Sequence, residues 1–236
     1  MEREQSEINF SGKITSGITA KDLVLKTIVF VRQQLPSWRD DPNRTDEESE
    51  NKLNLQLCKF LDSRARSDFP MIRFDHEEYQ TERRSVDLSA SLAENMIIEA
   101  IPYTIYKPIL VLEGKRIPAP SSDREKEYVT GSERKSGGIQ RFKMSLHGAS
   151  LDLAVIIGYV QDRSFNQWHK KINGWISELA SGTMKDGCGW SSGENLNLLE
   201  EDMAKGIASY RSIHSRFVGN SIELRHFWIV MLHLTK

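Results

Sequence analysis

Apolar positions recur at helical spacing along the first quarter of the chain and then change period. Thr19 to Asp22 reads as the capping-box-like start of a helix carrying Leu23, Val24, Ile28 and Val31, with Pro36 expected to stop it. A polar stretch from Ser37 to Arg44 reads as a loop. Thr45 is the expected cap of a second helix, with Glu48 placed to reach back to it, and the stripe Leu53, Leu57, Phe60 and Leu61 keeps helical spacing. The pattern then turns strand-like over Met71 to Gln80, Arg84 to Ala90 and Pro108 to Ile117. The last of these holds Ile109-Leu110-Val111-Leu112, a short apolar run suited to a central strand.

From Pro118 to Gly138 the sequence is charged and bounded by Pro118, Pro120, Gly137 and Gly138, which predicts a long loop or flexible excursion. A short helix is expected over Ile139 to Leu146, and a near-continuous apolar strand over Leu151 to Val160. Ser164 caps the clearest amphipathic helix, with Phe165, Trp168, His169, Ile172, Ile176 and Leu179 on one face. A glycine- and serine-rich loop, Gly182 to Gly193, leads to an expected helix from about Leu196 to Ile207 and a closing strand from Ile222 to Leu234. The order α, β, β, β, α, β, α, with additions at both ends, predicts an α/β fold in which helices sandwich a mixed sheet.

Composition adds little to this picture and contradicts none of it. A chain of 236 residues, 39% hydrophobic and 28% charged, fits one large globular domain, taken here as 1–236. Cys58 and Cys188 match no zinc or redox spacing, and Cys58 falls inside a helical apolar pattern where a buried free thiol is expected. Met1 to Ser16 lacks the apolar core of a signal peptide, and no apolar run is long enough to cross a bilayer. The expectation is a soluble, cytoplasmic protein with no membrane partner.

Charge is where the sequence becomes informative. The net charge is −1, yet Lys107 to Lys143 holds nine Lys/Arg against five Asp/Glu, and Asp46, Glu47, Glu48 and Glu50 form an acidic patch. At the end of the Ile109 strand stands Glu113-Gly114-Lys115, whose alternation puts Glu113 and Lys115 on one face. Charged side chains seldom occupy the end of a buried strand unless they are paired. In Ser85-Val86-Asp87-Leu88-Ser89, Asp87 faces away from Val86 and Leu88. If the two strands are neighbours, two carboxylates and a lysine meet at one spot. Such a set suits phosphodiester hydrolysis: oxygen donors hold Mg²⁺, and an ammonium orients a nucleophile or offsets negative charge.

With Asp87 followed by Glu113-Gly114-Lys115 in this helix–strand order, the chain resembles the PD-(D/E)XK, or restriction-endonuclease-like, nuclease superfamily. The resemblance covers a core of about 45–180, leaving an N-terminal helical extension over 17–36 and a C-terminal helix and strand over 194–236. It implies a restriction-endonuclease-like mixed central sheet flanked by helices. It also implies a Mg²⁺- or Mn²⁺-dependent endonuclease acting on nucleic acid, DNA in preference to RNA, in restriction, phage defence or repair. Asp87 and Glu113 would bind the metal and Lys115 would assist the attacking water. Glu50, at the start of the second helix and in line with Leu53, Leu57 and Leu61, matches the acidic residue many members place on their first core helix, as a further metal ligand. Gln161, ending the Leu151 strand, matches a glutamine that some members place there. A homodimer or a partner subunit are the assemblies the resemblance implies.

Val86 stands where the motif's name has proline, and the 26-residue step from Asp87 to Glu113 requires an insertion around Leu92 to Tyr106. Glu94 and Glu99 in that insertion are the alternative ligands. The alternative function is a non-catalytic nucleic-acid-binding or scaffolding subunit of the same fold. His169 reads as a satisfied core histidine, while His147, His214 and His226 have no metal-like spacing and are given no role. Trp168, Trp175 and Phe165 read as packing. Arg83-Arg84, Arg134-Lys135 and Lys170-Lys171 are candidate phosphate contacts, and Pro118 to Gly138 is the preferred substrate loop because it follows Lys115 directly.

Overall fold

The structure, a computed structural model, describes residues 13–14, 17–81, 84–162 and 164–231. In chain order the elements are β1 (Lys13–Ile14), α1 (Ala20–Arg39), α2 (Glu50–Asp68), β2 (Ile72–Thr81), β3 (Arg84–Leu92), β4 (Met96–Ile98), β5 (Ile101–Tyr103) and β6 (Pro108–Ile117). They continue with α3 (Gly138–Lys143), β7 (Leu153–Val160), α4 (Phe165–Ala180), β8 (Asn197–Asp202), β9 (Ile207–His214) and β10 (Ile222–Val230). Seven strands form one mixed sheet in the order β2-β3-β6-β7-β10-β9-β8. The inner strands β6, β7 and β10 run parallel, and antiparallel strands flank them on both sides. The chain is thus α/β, with a large mixed sheet flanked by helices.

Each sheet face buries its own core. On β7, Val155, Ile157 and Tyr159 pack with the buried stripes of α1 and α2, while Ala154, Ile156 and Val160 pack with α3 and α4. Strand alternation supplies both sets from one segment. α4 is the expected amphipathic helix, with Ser164 accepting from Gln167 N–H in a capping box.

Three local expectations fail for physical reasons. Pro36 does not end α1, which runs on to Arg39. The hydrogen bond the proline removes is offset because the extra turn buries Trp38, 5.7 Å from the Tyr159 ring. Ser49, not Thr45, is the N-cap of α2; Thr45 Oγ1 accepts from Gln56, and Glu48 pairs with Arg44 at 2.9 Å. The predicted helix over 196–207 is instead β8, a turn and the start of β9. Its Leu-, Glu- and Ala-rich sequence favours a helix locally, but Ile207, Ala208 and Tyr210 bury against the sheet, and β8 pairs along β9. Gly206 closes the turn at φ +59°. The expected closing strand is β10, described over Ile222–Val230; its expected continuation to Leu234 falls on residues 232–236, which lie outside those described, as does Arg83.

The insertion between β3 and β6 is a hairpin, β4 and β5, closed by Glu99 and Ala100 at φ +53° and +62°. It pairs with β1 and contributes Met96 and Ile98 to the α1/α2 core. Among the described residues no helix is long and apolar enough to cross a membrane.

Candidate active site

The site begins where two strands part. β3 and β6 pair from Ser91 and Pro108 to Leu88 and Leu112, and Asp87 and Glu113 are the next residues on each strand. Beyond that point the N–H of Gly114 donates to Asp87 Oδ2 at 2.8 Å, so a carboxylate takes over from the ladder. On its other side β6 stays paired with β7, with Glu113 opposite Ile156 and Lys115 opposite Gly158. Glu113 and Lys115 are therefore held rigidly on the face that carries α3 and α4.

The middle residue of the motif positions the helix on the opposite face. A Cβ on Gly114 would overlap the Asn54 side chain and lie 3.0 Å from the Tyr159 ring. Only glycine lets α2 approach this closely, and Tyr159 OH locks the contact by donating to Asn54 Oδ1 at 2.7 Å. Glu50 lies one turn before Asn54 on the same helix face. It thereby reaches across the strand end: Oε1 accepts from Lys115 Nζ at 2.7 Å and Oε2 from the Arg116 N–H at 3.1 Å.

Glu113 is fully buried and ringed by nitrogen. Arg141 donates to Oε1 at 2.6 Å, Lys115 Nζ lies 3.1 Å from the same oxygen, and His147 Nδ1 lies 3.1 Å from Oε2. The His147 approach is not aligned as a hydrogen bond. Burial would raise the Glu113 pKa, but Lys115, His147 and Arg141 outweigh it and hold the carboxyl well below its ordinary range. Burial likewise opposes the charge on Lys115, yet Glu113, Glu50 and Asp87 keep it a firm ammonium. Asp87 differs: burial first, and then the nearby Glu113 charge, push it up to about 7, against the opposing pull of Lys115 and the Gly114 N–H.

Thus Asp87, Glu113, Lys115 and Glu50 are brought together. Gln161 stands one shell out: its Oε1 accepts from Arg116 Nε at 2.7 Å, and its Nε2 donates to Glu48 at 3.3 Å. Glu50, expected as a third metal ligand, is engaged with Lys115 and the Arg116 N–H. Among the described residues no three His, Cys, Asp or Glu side chains form a group placed to hold a metal. The carboxylates that fit a cation best are Asp87 and Glu113, side by side and mutually repelling, with Glu113 Oε2 lacking a directed hydrogen bond. Two carboxylates are enough for Mg²⁺, which keeps several of its waters. Glu94 and Glu99 are exposed, and Glu99 accepts from the Ala20 N–H at the start of α1.

Sequence reasoning missed Arg141 and His147. Arg141 lay in a charged stretch with nothing to single it out, and His147 follows a helix end; only the packing of α3 against β6 brings them to Glu113. It also missed a buried hydrogen-bond chain on the α4 face. Trp228 donates to Tyr128 OH at 2.8 Å, and Tyr128 OH lies 2.8 Å from His226 Nδ1. Ser212 Oγ then lies 2.7 Å from both His226 Nε2 and His214 Nε2, and His214 meets Glu194, which is paired with Lys143. All these side chains are buried. His169 is hydrogen-bonded as expected, to Leu196 O at 2.7 Å, and stacks on Tyr210, but it is half-buried at the edge of α4 and not in the core as expected.

The segment after Lys115 is more ordered than a flexible loop. It forms two short 3₁₀ turns, Ser122–Tyr128 and Ser132–Arg134, and ion pairs from Lys126 to Glu178 and from Lys171 to Glu125 tie it to α4. Arg134 and Lys135 remain exposed. Compared with known proteins, the chain matches no family model, no curated protein and no solved structure.

Proposed function

We propose that this chain is a metal-dependent nuclease of restriction-endonuclease-like fold, hydrolysing phosphodiester bonds of nucleic acid, DNA in preference to RNA, with Asp87, Glu113 and Lys115. The observation that carries this reading is the meeting of those three side chains where β3 and β6 part. There a buried lysine lies 3.1 Å from one carboxylate and is braced from behind by Glu50 at 2.7 Å. Mg²⁺ or Mn²⁺, held by Asp87 and Glu113, would supply an acidified water and offset the charge that develops on phosphate. The crowding of two desolvated carboxylates, which raises Asp87 to about 7, is the electrostatic demand that a divalent cation relieves.

Lys115 acts as a donor and not as a base, because three carboxylates hold its ammonium charged. It orients the attacking water or a phosphate oxygen by charge and hydrogen bonding. Glu50 fixes the Lys115 rotamer, so the nitrogen stays in place while Glu113 is engaged elsewhere. Gln161 is a positioning residue: it holds Arg116, whose backbone N–H holds Glu50. Exposed Arg134 and Lys135 offer phosphate contacts at the rim.

A second reading, a non-catalytic nucleic-acid-binding or scaffolding subunit, is favoured by one observation. Glu113 already has Arg141, Lys115 and His147 around it, so the site is charge-balanced as it stands. A cleavage assay separates the two. Supercoiled plasmid, linear duplex, single-stranded DNA and RNA are each incubated with Mg²⁺, Mn²⁺ or EDTA, beside Glu113→Gln and Lys115→Met variants checked for folding. The nuclease reading expects metal-dependent cutting that falls about 100-fold or more in both variants. Absence of cutting, or variants that cut like the parent, removes the catalytic assignment and leaves the binding role.

A further inference from the structure

Glu113 has three nitrogen neighbours, and they are not equivalent. The Lys115 side chain is 6% exposed and that of His147 1%, whereas that of Arg141 is 26% exposed. Arg141 therefore stands at the solvent side of the carboxylate, where an incoming cation meets it first. It also makes the shortest contact, 2.6 Å to Oε1. Lys115 has a second anchor in Glu50 and keeps its place if Glu113 changes partner.

The backbone explains why Arg141 is there. Its N–H donates to Gly137 O at 3.0 Å, and its carbonyl accepts from Leu146 N–H at 2.9 Å and His147 N–H at 3.4 Å. Arg141 and His147 are thus joined through one tight helix end and face Glu113 together. Gly138 permits that packing, since a Cβ there would lie 3.0 Å from Tyr128 O and 3.5 Å from Lys115 Cγ. Two positive groups share Oε1, while Oε2 has no directed hydrogen bond. A divalent cation arriving at Glu113 must contend with a guanidinium already bonded to the same carboxylate.

We propose that Arg141 is the resident counter-cation of Glu113 and competes with the divalent metal for it. The guanidinium then sets the metal affinity of the site as much as the carboxylates do. The inference rests on the nuclease reading and deepens it: the balanced charge that favours a silent site becomes a threshold for metal loading. It also accounts for a fully buried carboxylate that stays ionised without metal, because Arg141 and Lys115 supply the charge that holds it so.

The test is a Mn²⁺ titration of the full chain at pH 8 and low salt, following free Mn²⁺ by electron paramagnetic resonance. The parent is compared with Arg141→Gln, Arg141→Lys and Glu113→Gln, with melting curves confirming that each is folded. Arg141→Gln is expected to bind Mn²⁺ about tenfold tighter than the parent, equivalent to about 1.4 kcal/mol. Arg141→Lys, which keeps the charge but loses the fork, falls between them and carries the test if the glutamine variant does not fold. Glu113→Gln binds more weakly than the parent. If the parent binds through Glu113 and neither Arg141 variant binds more tightly, the competition is refuted while the nuclease reading stands. If neither the parent nor the Arg141 variants bind at millimolar Mn²⁺, the metal site itself is refuted and both conclusions fall.

Discussion

Asp87 offers a test in which a residue of the candidate site should make the protein less stable. Its carboxyl is pushed from an ordinary 3.8 up to about 7, chiefly by burial and then by Glu113. Between those values the folded state holds a proton that the unfolded chain has released. Stability therefore falls as pH rises through that window, and the deficit is complete above about pH 7. A shift of that size corresponds to roughly 4 kcal/mol, and solvent reaching this half-buried side chain reduces it to about 2 kcal/mol. Asp87→Asn removes the charge and keeps an oxygen for the Gly114 N–H. For a domain of this size the variant should melt about 4–8 °C above the parent at pH 8 in EDTA. The gap should close as pH falls towards 4 and below, where Asp87 is protonated in the folded state and increasingly so in the unfolded chain. Added Mg²⁺ should raise the parent more than the variant, which keeps Glu113 but has lost the second carboxylate. Melting curves from pH 4 to 8, with and without Mg²⁺, read all of this. A variant that melts at or below the parent at pH 8, or a gap independent of pH, would refute the electrostatic account of the site.

Two further predictions test the frame around the site. Gly114→Ala should cost about 1–3 kcal/mol, because its Cβ meets the Asn54 side chain and the Tyr159 ring. Asn54→Ala in the same chain should recover part of that loss, a non-additivity readable in denaturant melts, and simple additivity would place the two residues apart. Ser212→Ala should cost about 2–4 kcal/mol, since it strips a hydrogen-bond partner from both His214 and His226. It should leave metal binding unchanged. A variant as stable as the parent would show that the buried chain through Ser212 is not closed as described.

How much of the site was legible follows from the range over which each signal acts. Glu113-Gly114-Lys115 could be singled out because strand alternation is local: an apolar run that ends in two charges on one face needs an explanation. Asp87 was legible only in part, because Val86 and Leu88, expected to share the opposite face, pack into different cores, Val86 with α3 and α4 and Leu88 with α1 and α2. Glu50 was legible because helical spacing ties it to Leu53 and Leu57. Arg141 and His147 were not, since their meeting with Glu113 depends on how a six-residue helix packs on β6. Thr45 and Glu48 misled because a capping box is a local preference. Here Glu48 is drawn instead to Arg44 and Gln161, partners available only in three dimensions.

By itself the sequence determined the mixed α/β class, the strands β3, β6 and β7, the amphipathic face of α4 and the acid–base character of the β6 end. Periodicity and side-chain chemistry act over a few residues and survive in any context. Tertiary structure decided the rest. Burial of Trp38 carried α1 past its proline, and pairing with β9 turned a helix-favouring segment into an edge strand. The parting of β3 from β6 put Asp87 beside Glu113, and the bare α-carbon of Gly114 let α2 deliver Glu50 to Lys115. Each of these outcomes depends on free energy shared between segments far apart in the chain, and local spacing carries no record of it.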